Sequence, residues 1–177
     1  MIVHFLESML GYCLVVAPIY MIIRLIYIRG IGKKWFREGI LLLFVLYIVA
    51  ILSQTIIPQY GAPIGYRSTN FIPFQTITEY MAELFSGTQM ASIAFYNLAG
   101  NIILFIPFGV FLSLLWKTMR KMSWQLTISL AIPLFIEATQ FFIGRSTDID
   151  DVILNAVSIY AGFFVTTIIL KRFQQKK

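Results

Sequence analysis

Five runs of roughly twenty mostly apolar residues dominate this chain: Phe5–Ile28, Gly39–Ile57, Ile93–Trp116, Trp124–Ile143 and Val152–Leu170. A helix needs about twenty such residues to cross the hydrocarbon of a bilayer. Only helices and closed barrels satisfy their backbone polar groups there. The sequence therefore reads as all-α: a polytopic membrane helix bundle of five transmembrane helices in one domain, residues 1–177. Hydrophobic residues make up 59% of the chain and charged residues 12%, against about half and about a quarter in soluble domains. That balance excludes a soluble enzyme, a nucleic-acid module and a disordered chain. The first run is too long for a cleaved signal peptide and has no basic leader, so it reads as an anchor.

The basic residues set the orientation. Arg24, Arg29, Lys33, Lys34, Arg37, Lys117, Arg120, Lys121, Lys171, Arg172, Lys176 and Lys177 fall on one side, twelve of the fourteen. Only Arg67 and Arg145 fall on the other. The expectation is a bacterial cell-membrane protein with its N-terminus outside and its C-terminus in the cytoplasm. The basic clusters retain loops and meet anionic lipid, so no nucleic acid is implied. Arg24, a turn inside its helix end, is expected to snorkel. Cys13, the single cysteine, reads as a packing residue, and His4, the single histidine, as interfacial.

The outer connection Pro58–Ser92 is long enough to carry structure of its own. Phe74, Ile77, Met81, Leu84 and Phe85 are spaced as one helical face. An extracellular amphipathic helix over 75–86, between spans two and three, is expected to lie on the membrane interface and to end at Gly87. The apolar face could equally pack on the bundle.

Polar residues inside or beside spans are costly and call for an explanation. Here they fall in three stretches, all at the outer side. The first contains Arg67, Asn70, Pro73 and Phe74. Asn70 reads as a turn residue, and Arg67 as a fork for phosphate or carboxylate. The second contains Asn97 and Asn101, four apart on one face, with Gly100 as a point of close helix approach and Pro107 mid-span. Its two amides could line a cleft or fasten helices. The third runs from Glu137 to Asn155. Glu137 and Gln140 share one face of span four, Asp151 and Asn155 one face of span five, and the short loop between brings them together with Arg145 at the rim. Thr147 or Asp148 is expected to cap span five, with Asp150 or Asp151 completing the capping box. Glu137 must be neutralised by a partner, for which Arg145 and Arg67 are the candidates, or by protonation.

The order Asn70-x-x-Pro73-Phe74, then Asn97-x3-Asn101 with Pro107-Phe108-Gly109, then Glu137-x-x-Gln140-x4-Arg145-x-x-Asp148-x-Asp150-Asp151-x3-Asn155, resembles the VanZ-like family of bacterial membrane proteins. The resemblance covers roughly Leu41–Gly162, and the third motif is its specific part. Ser158 stands where the family usually has Gly, although Ser158 and Gly162 still form a small-residue face. The resemblance implies low-level resistance to teicoplanin-type lipoglycopeptides in Gram-positive bacteria. It names a phenotype rather than a reaction.

Three functions follow as expectations. The first is binding of a lipid-linked anionic envelope molecule, such as lipoteichoic acid or a wall precursor, in an outward polar cleft. Arg67 and Arg145 would take phosphate, while Asn70, Asn97, Asn101, Glu137, Gln140, Asp151 and Asn155 complete the site. The second is an enzyme acting on such a lipid through Glu137, Asp148, Asp150 or Asp151, with general acid–base chemistry. The cluster has no histidine and no activated nucleophile, which weighs against it. The third is a structural or partner protein whose polar residues only fasten helices. No cofactor is implied; the acidic cluster leaves a divalent cation open, and a homo-oligomer is compatible with all three.

Overall fold

The structure is a computed structural model that describes residues 2–27, 35–56, 68–88 and 90–175. It is all-α apart from one two-residue ladder. The helices are α1 (Ile2–Tyr27), α2 (Trp35–Thr55), α3 (Gln75–Leu84), α4 (Met90–Leu115), α5 (Met122–Phe142) and α6 (Ile149–Gln175), with a 3-10 turn at Lys117–Arg120. Strands β1 (Thr69–Asn70) and β2 (Thr147–Asp148) pair in parallel. Two residues per strand carry no periodicity, so the ladder has no signature in the sequence.

Among the described residues four helices, α2, α4, α5 and α6, are long and apolar enough to cross a membrane. In α1 the apolar stretch is Leu10–Arg24, which is shorter. Two compact units are distinguished, Met1–Ala62 and Pro63–Lys177.

In the first unit, α1 and α2 form a hairpin. Arg24 does not simply snorkel: its guanidinium Nε donates to Glu38 Oε2 at 2.8 Å, and Nη2 reaches the same oxygen. The pair tethers the end of α1 to the start of α2. Cys13 Sγ donates to the Leu46 carbonyl at 3.7 Å, in keeping with a packing role. Ser53, Gln54 and Thr55, buried at the end of α2, turn inward: Ser53 bonds the Ala50 carbonyl and Thr55 the Ile51 carbonyl.

In the second unit, α4 and α6 run parallel and touch backbone to backbone. A Cβ at Gly109 would fall inside the Ile159 carbonyl oxygen and the Phe163 nitrogen; one at Gly162 would fall inside the Ile106 carbonyl oxygen. Small residues let membrane helices gain packing contacts that lipid cannot supply. Phe105, Ile159 and Phe163 fill the surrounding core. The expected close approach at Gly100 is not there: a Cβ at Gly100 meets nothing within 4 Å. α4 continues through Pro107, whose missing N–H releases the carbonyl one turn earlier. Ser158 satisfies its hydroxyl on the Leu154 carbonyl.

Opposite ends of this unit differ in charge. Lys117, Arg120, Lys121, Lys171 and Arg172 lie at one end. There Arg120 Nε caps α4 through the Ser113 carbonyl at 2.8 Å, and Gln125 ties Arg120 to Thr167. The acidic residues lie at the other.

Candidate functional site

The start of α3, the first half of α4, the end of α5 and the start of α6 meet at the acidic end of the second unit. Chain direction puts them there: α5 arrives, Gly144 turns with φ 80°, and α6 leaves. The Arg145 N–H closes this turn on the Gln140 carbonyl at 2.9 Å.

Asp148 is the cap of α6. Its Oδ1 accepts the Asp150 N–H at 2.9 Å, as the sequence suggests for a residue just before a helix. The same side chain also accepts Asn70 Nδ2 at 3.1 Å and the Thr76 hydroxyl at 2.6 Å. Asn70 Oδ1 in turn accepts the Ile72 N–H at 2.9 Å, the turn role expected of it. One carboxylate thus caps its own helix and holds the loop from residue 78 positions away.

Asp150 does not complete a capping box. It is 1% exposed and accepts the backbone N–H groups of Phe74 and Ile77, the latter at 3.0 Å. α3 has no side-chain cap of its own, and its N-terminal residue Phe74 is left-handed at φ 67°. That conformation is rare for a bulky residue; here it accompanies a Phe74 N–H bonded to Asp150. The carboxylate therefore sits at the positive ends of two helices, α3 and its own α6.

Glu137, 5% exposed on α5, accepts the Asp148 N–H through Oε2 at 3.0 Å. The expected partner was an arginine. Arg145 does act on Glu137 through its charge, but the hydrogen bond comes from backbone. Arg67 lies outside the described residues. Gln140 and Arg145 are both engaged in interactions of their own.

Asp151 accepts Asn101 Nδ2 at 2.7 Å, joining α6 to α4. Asn97, one turn before Asn101, donates to the Tyr80 hydroxyl of α3 at 3.3 Å. Burial, followed by the nearby Asp151 and Asp148 carboxylates, pushes the Tyr80 phenol above its ordinary value of 10.0. Asn155 is 4% exposed, and its Oδ1 has no partner among the described residues.

The amphipathic helix begins at Gln75 as expected and ends at Leu84, with Gly87 left-handed beyond it. Its faces are divided differently from the sequence reading. Thr76, Ile77, Tyr80 and Leu84 turn toward the body, whereas Phe74, Met81 and Phe85 are exposed. Thr76 and Tyr80, missed in the sequence, are the polar contacts of that inner face. Their spacing of four was the available signal.

The sequence also predicted a polar cleft. A groove of about 370 Å³ does open here, within the range of ligand pockets of about 300–1,000 Å³, but its walls are almost wholly apolar. Phe71, Leu134, Ala138, Phe141, Phe142, Ile149 and Val152 form them, with Glu137, Thr147 and Asp148 also in the lining. Asn97, Asn101 and Asn155 are not part of it. Among the described residues no three His, Cys, Asp or Glu side chains are arranged to hold a metal ion.

A family model described as VanZ/LLP1 matches residues 39–170. No curated protein and no solved structure matches the chain.

Proposed function

Since the chain belongs to the VanZ-like family, we propose that it is a five-span bacterial cell-membrane protein that binds a lipid-linked anionic envelope molecule, such as lipoteichoic acid or a wall precursor, at its outer surface. In this reading α1 is the first span, the N-terminus lies outside and the C-terminus lies in the cytoplasm. The basic end of the second unit supports that orientation. α3 lies in the outer interface, which the exposure of Phe71, Ile72, Phe74, Met81 and Phe85 supports. Binding such a molecule would alter the surface that teicoplanin-type lipoglycopeptides meet and so give low-level resistance in a Gram-positive host.

The observation that carries this reading is the apolar groove walled by Phe71, Leu134, Phe141 and Val152, whose lining does not include Arg145. Its walls suit an acyl chain, and Arg145, in the short connection between α5 and α6, carries the kind of group that takes a phosphate. The acids and amides then act as positioning residues: Asn70, Asn97, Asn101, Asp148, Asp150 and Asp151 hold the helices that form the groove. The test is lipid analysis of protein purified from membranes. Ala138→Trp, which places an indole in the groove, and Arg145→Ala are each expected to strip a lipid that the parent protein retains, without loss of the fold. Equal lipid content in all three proteins removes the proposal.

A second reading, a structural or partner protein, is favoured by the hydrogen bonds themselves. Asp148, Asp150, Asp151 and Glu137 each accept from another segment or from the next helix. It requires that Asp151→Asn lower stability and function together.

A further inference from the structure

Thr147 lines the apolar groove, is 7% exposed, and its hydroxyl has no hydrogen-bond partner among the described residues. Its backbone is fully used: Thr147 pairs with Thr69 in the ladder, and its N–H donates to the Ser68 carbonyl at 3.1 Å. Valine would keep the shape and the strand preference and avoid burying a hydroxyl. A buried donor left unmade is destabilising unless some state of the protein supplies its acceptor.

We propose that Thr147 donates its hydroxyl to the ester carbonyl of a glycerophospholipid-type acyl chain seated in the groove, so that the site recognises an acyl rather than an alkyl linkage. The inference rests on the groove holding a lipid chain, as proposed above. Three features point to this occupant. The walls Phe71, Leu134, Phe141 and Val152 offer nothing to a polar group. An ester carbonyl is an acceptor without a donor, the complement of a hydroxyl that lacks an acceptor. Arg145 is two residues before Thr147 in the chain, and a guanidinium takes the phosphate that follows such an ester by a few bonds. A χ1 rotation of about 120° carries the hydroxyl to another staggered position on the same Cβ without moving the backbone.

The experiment uses the full chain in detergent with two probes, diacyl phosphatidylglycerol and its dialkyl ether counterpart of equal chain length, in competition by native mass spectrometry. The parent protein is expected to prefer the diacyl lipid roughly five- to tenfold, the effect of one hydrogen bond to an otherwise unpaired donor. Thr147→Val should bind both equally, Thr147→Ser should restore part of the preference, and neither should lower the thermal midpoint. If the parent binds both lipids alike while Ala138→Trp abolishes binding of each, the role of Thr147 is overturned and the groove reading survives. If neither lipid binds, or if Ala138→Trp changes nothing, both fall. A preference that persists in Thr147→Val also overturns the assignment.

Discussion

Asp150 of α6 caps a helix other than its own: its carboxylate holds the N–H groups of Phe74 and Ile77 at the start of α3. α3 has no side-chain cap from its own N-terminus, so its docking depends on a residue 76 positions later in the chain. Replacing Asp150 by Ala leaves two buried donors unmet, at a cost of about 1–3 kcal/mol. Hydrogen exchange in α3 is expected to accelerate in that variant, with α4 and the C-terminal half of α6 unchanged. Protection of α3 equal to that of the parent would show that the cap is dispensable.

The α4–α6 crossing separates two glycines of the same helix. Gly109→Ala drives a methyl into the Ile159 carbonyl, and overpacking of this kind costs about 1–3 kcal/mol or more. Gly100→Ala meets open space and gains helix propensity of up to about 1 kcal/mol. Thermal unfolding in detergent should therefore move in opposite directions for the two variants. A loss at Gly100 as large as that at Gly109 contradicts the packing described.

The Asn101–Asp151 hydrogen bond joins two helices at the acidic end of the second unit. A double-mutant cycle with Asn101→Leu and Asp151→Leu is expected to give a coupling of about 0.6 kcal/mol and no more than about 1.7 kcal/mol, the scale such cycles find for polar pairs within membrane bundles. Additive effects would mean that the two side chains do not act together. The same variants separate the two functional readings, because a lipid-binding protein can lose ligand while keeping its thermal midpoint.

Tyr80 has a raised pKa, first through burial and then through Asp151 and Asp148. The neutral phenol is therefore the folded form's preference. Its contribution to stability is complete below the unfolded value of 10.0 and is lost as pH rises through the folded value. In an ultraviolet titration, the component removed by Tyr80→Phe should have its midpoint above 10.0 and move down in Asp151→Asn. An unmoved midpoint in Asp151→Asn would deny that carboxylate its influence.

Much of this molecule was legible in the sequence because membrane spans are written in length and hydropathy. α2, α4, α5 and α6 begin and end within a few residues of the apolar runs. Asp148 as a cap and Asn70 as a turn residue were legible for a similar reason, since both roles are local. What periodicity could not supply was the inner face of a helix when lipid and protein are both apolar. Thus the approach was assigned to Gly100 rather than Gly109. The Arg24–Glu38 pair has no local signature because Glu38 lies 14 positions later in the chain. Asp150 was given to its own helix because nothing local reveals a donor from residues 74 to 77. The groove is apolar because the polar side chains around it, Asn70, Asn101, Asp148 and Asp150, direct their hydrogen bonds to neighbouring segments, which no local pattern reveals.

The backbone contact of Gly109 with Ile159 and Gly162 with Ile106 has a mechanical consequence. Side chains that interdigitate can re-sort when helices slide, but two main chains in direct apposition have no such slack. α4 and α6 therefore behave as a single stiff beam. Any opening of the neighbouring groove falls to α5 and to the short helix clamped by Asp150.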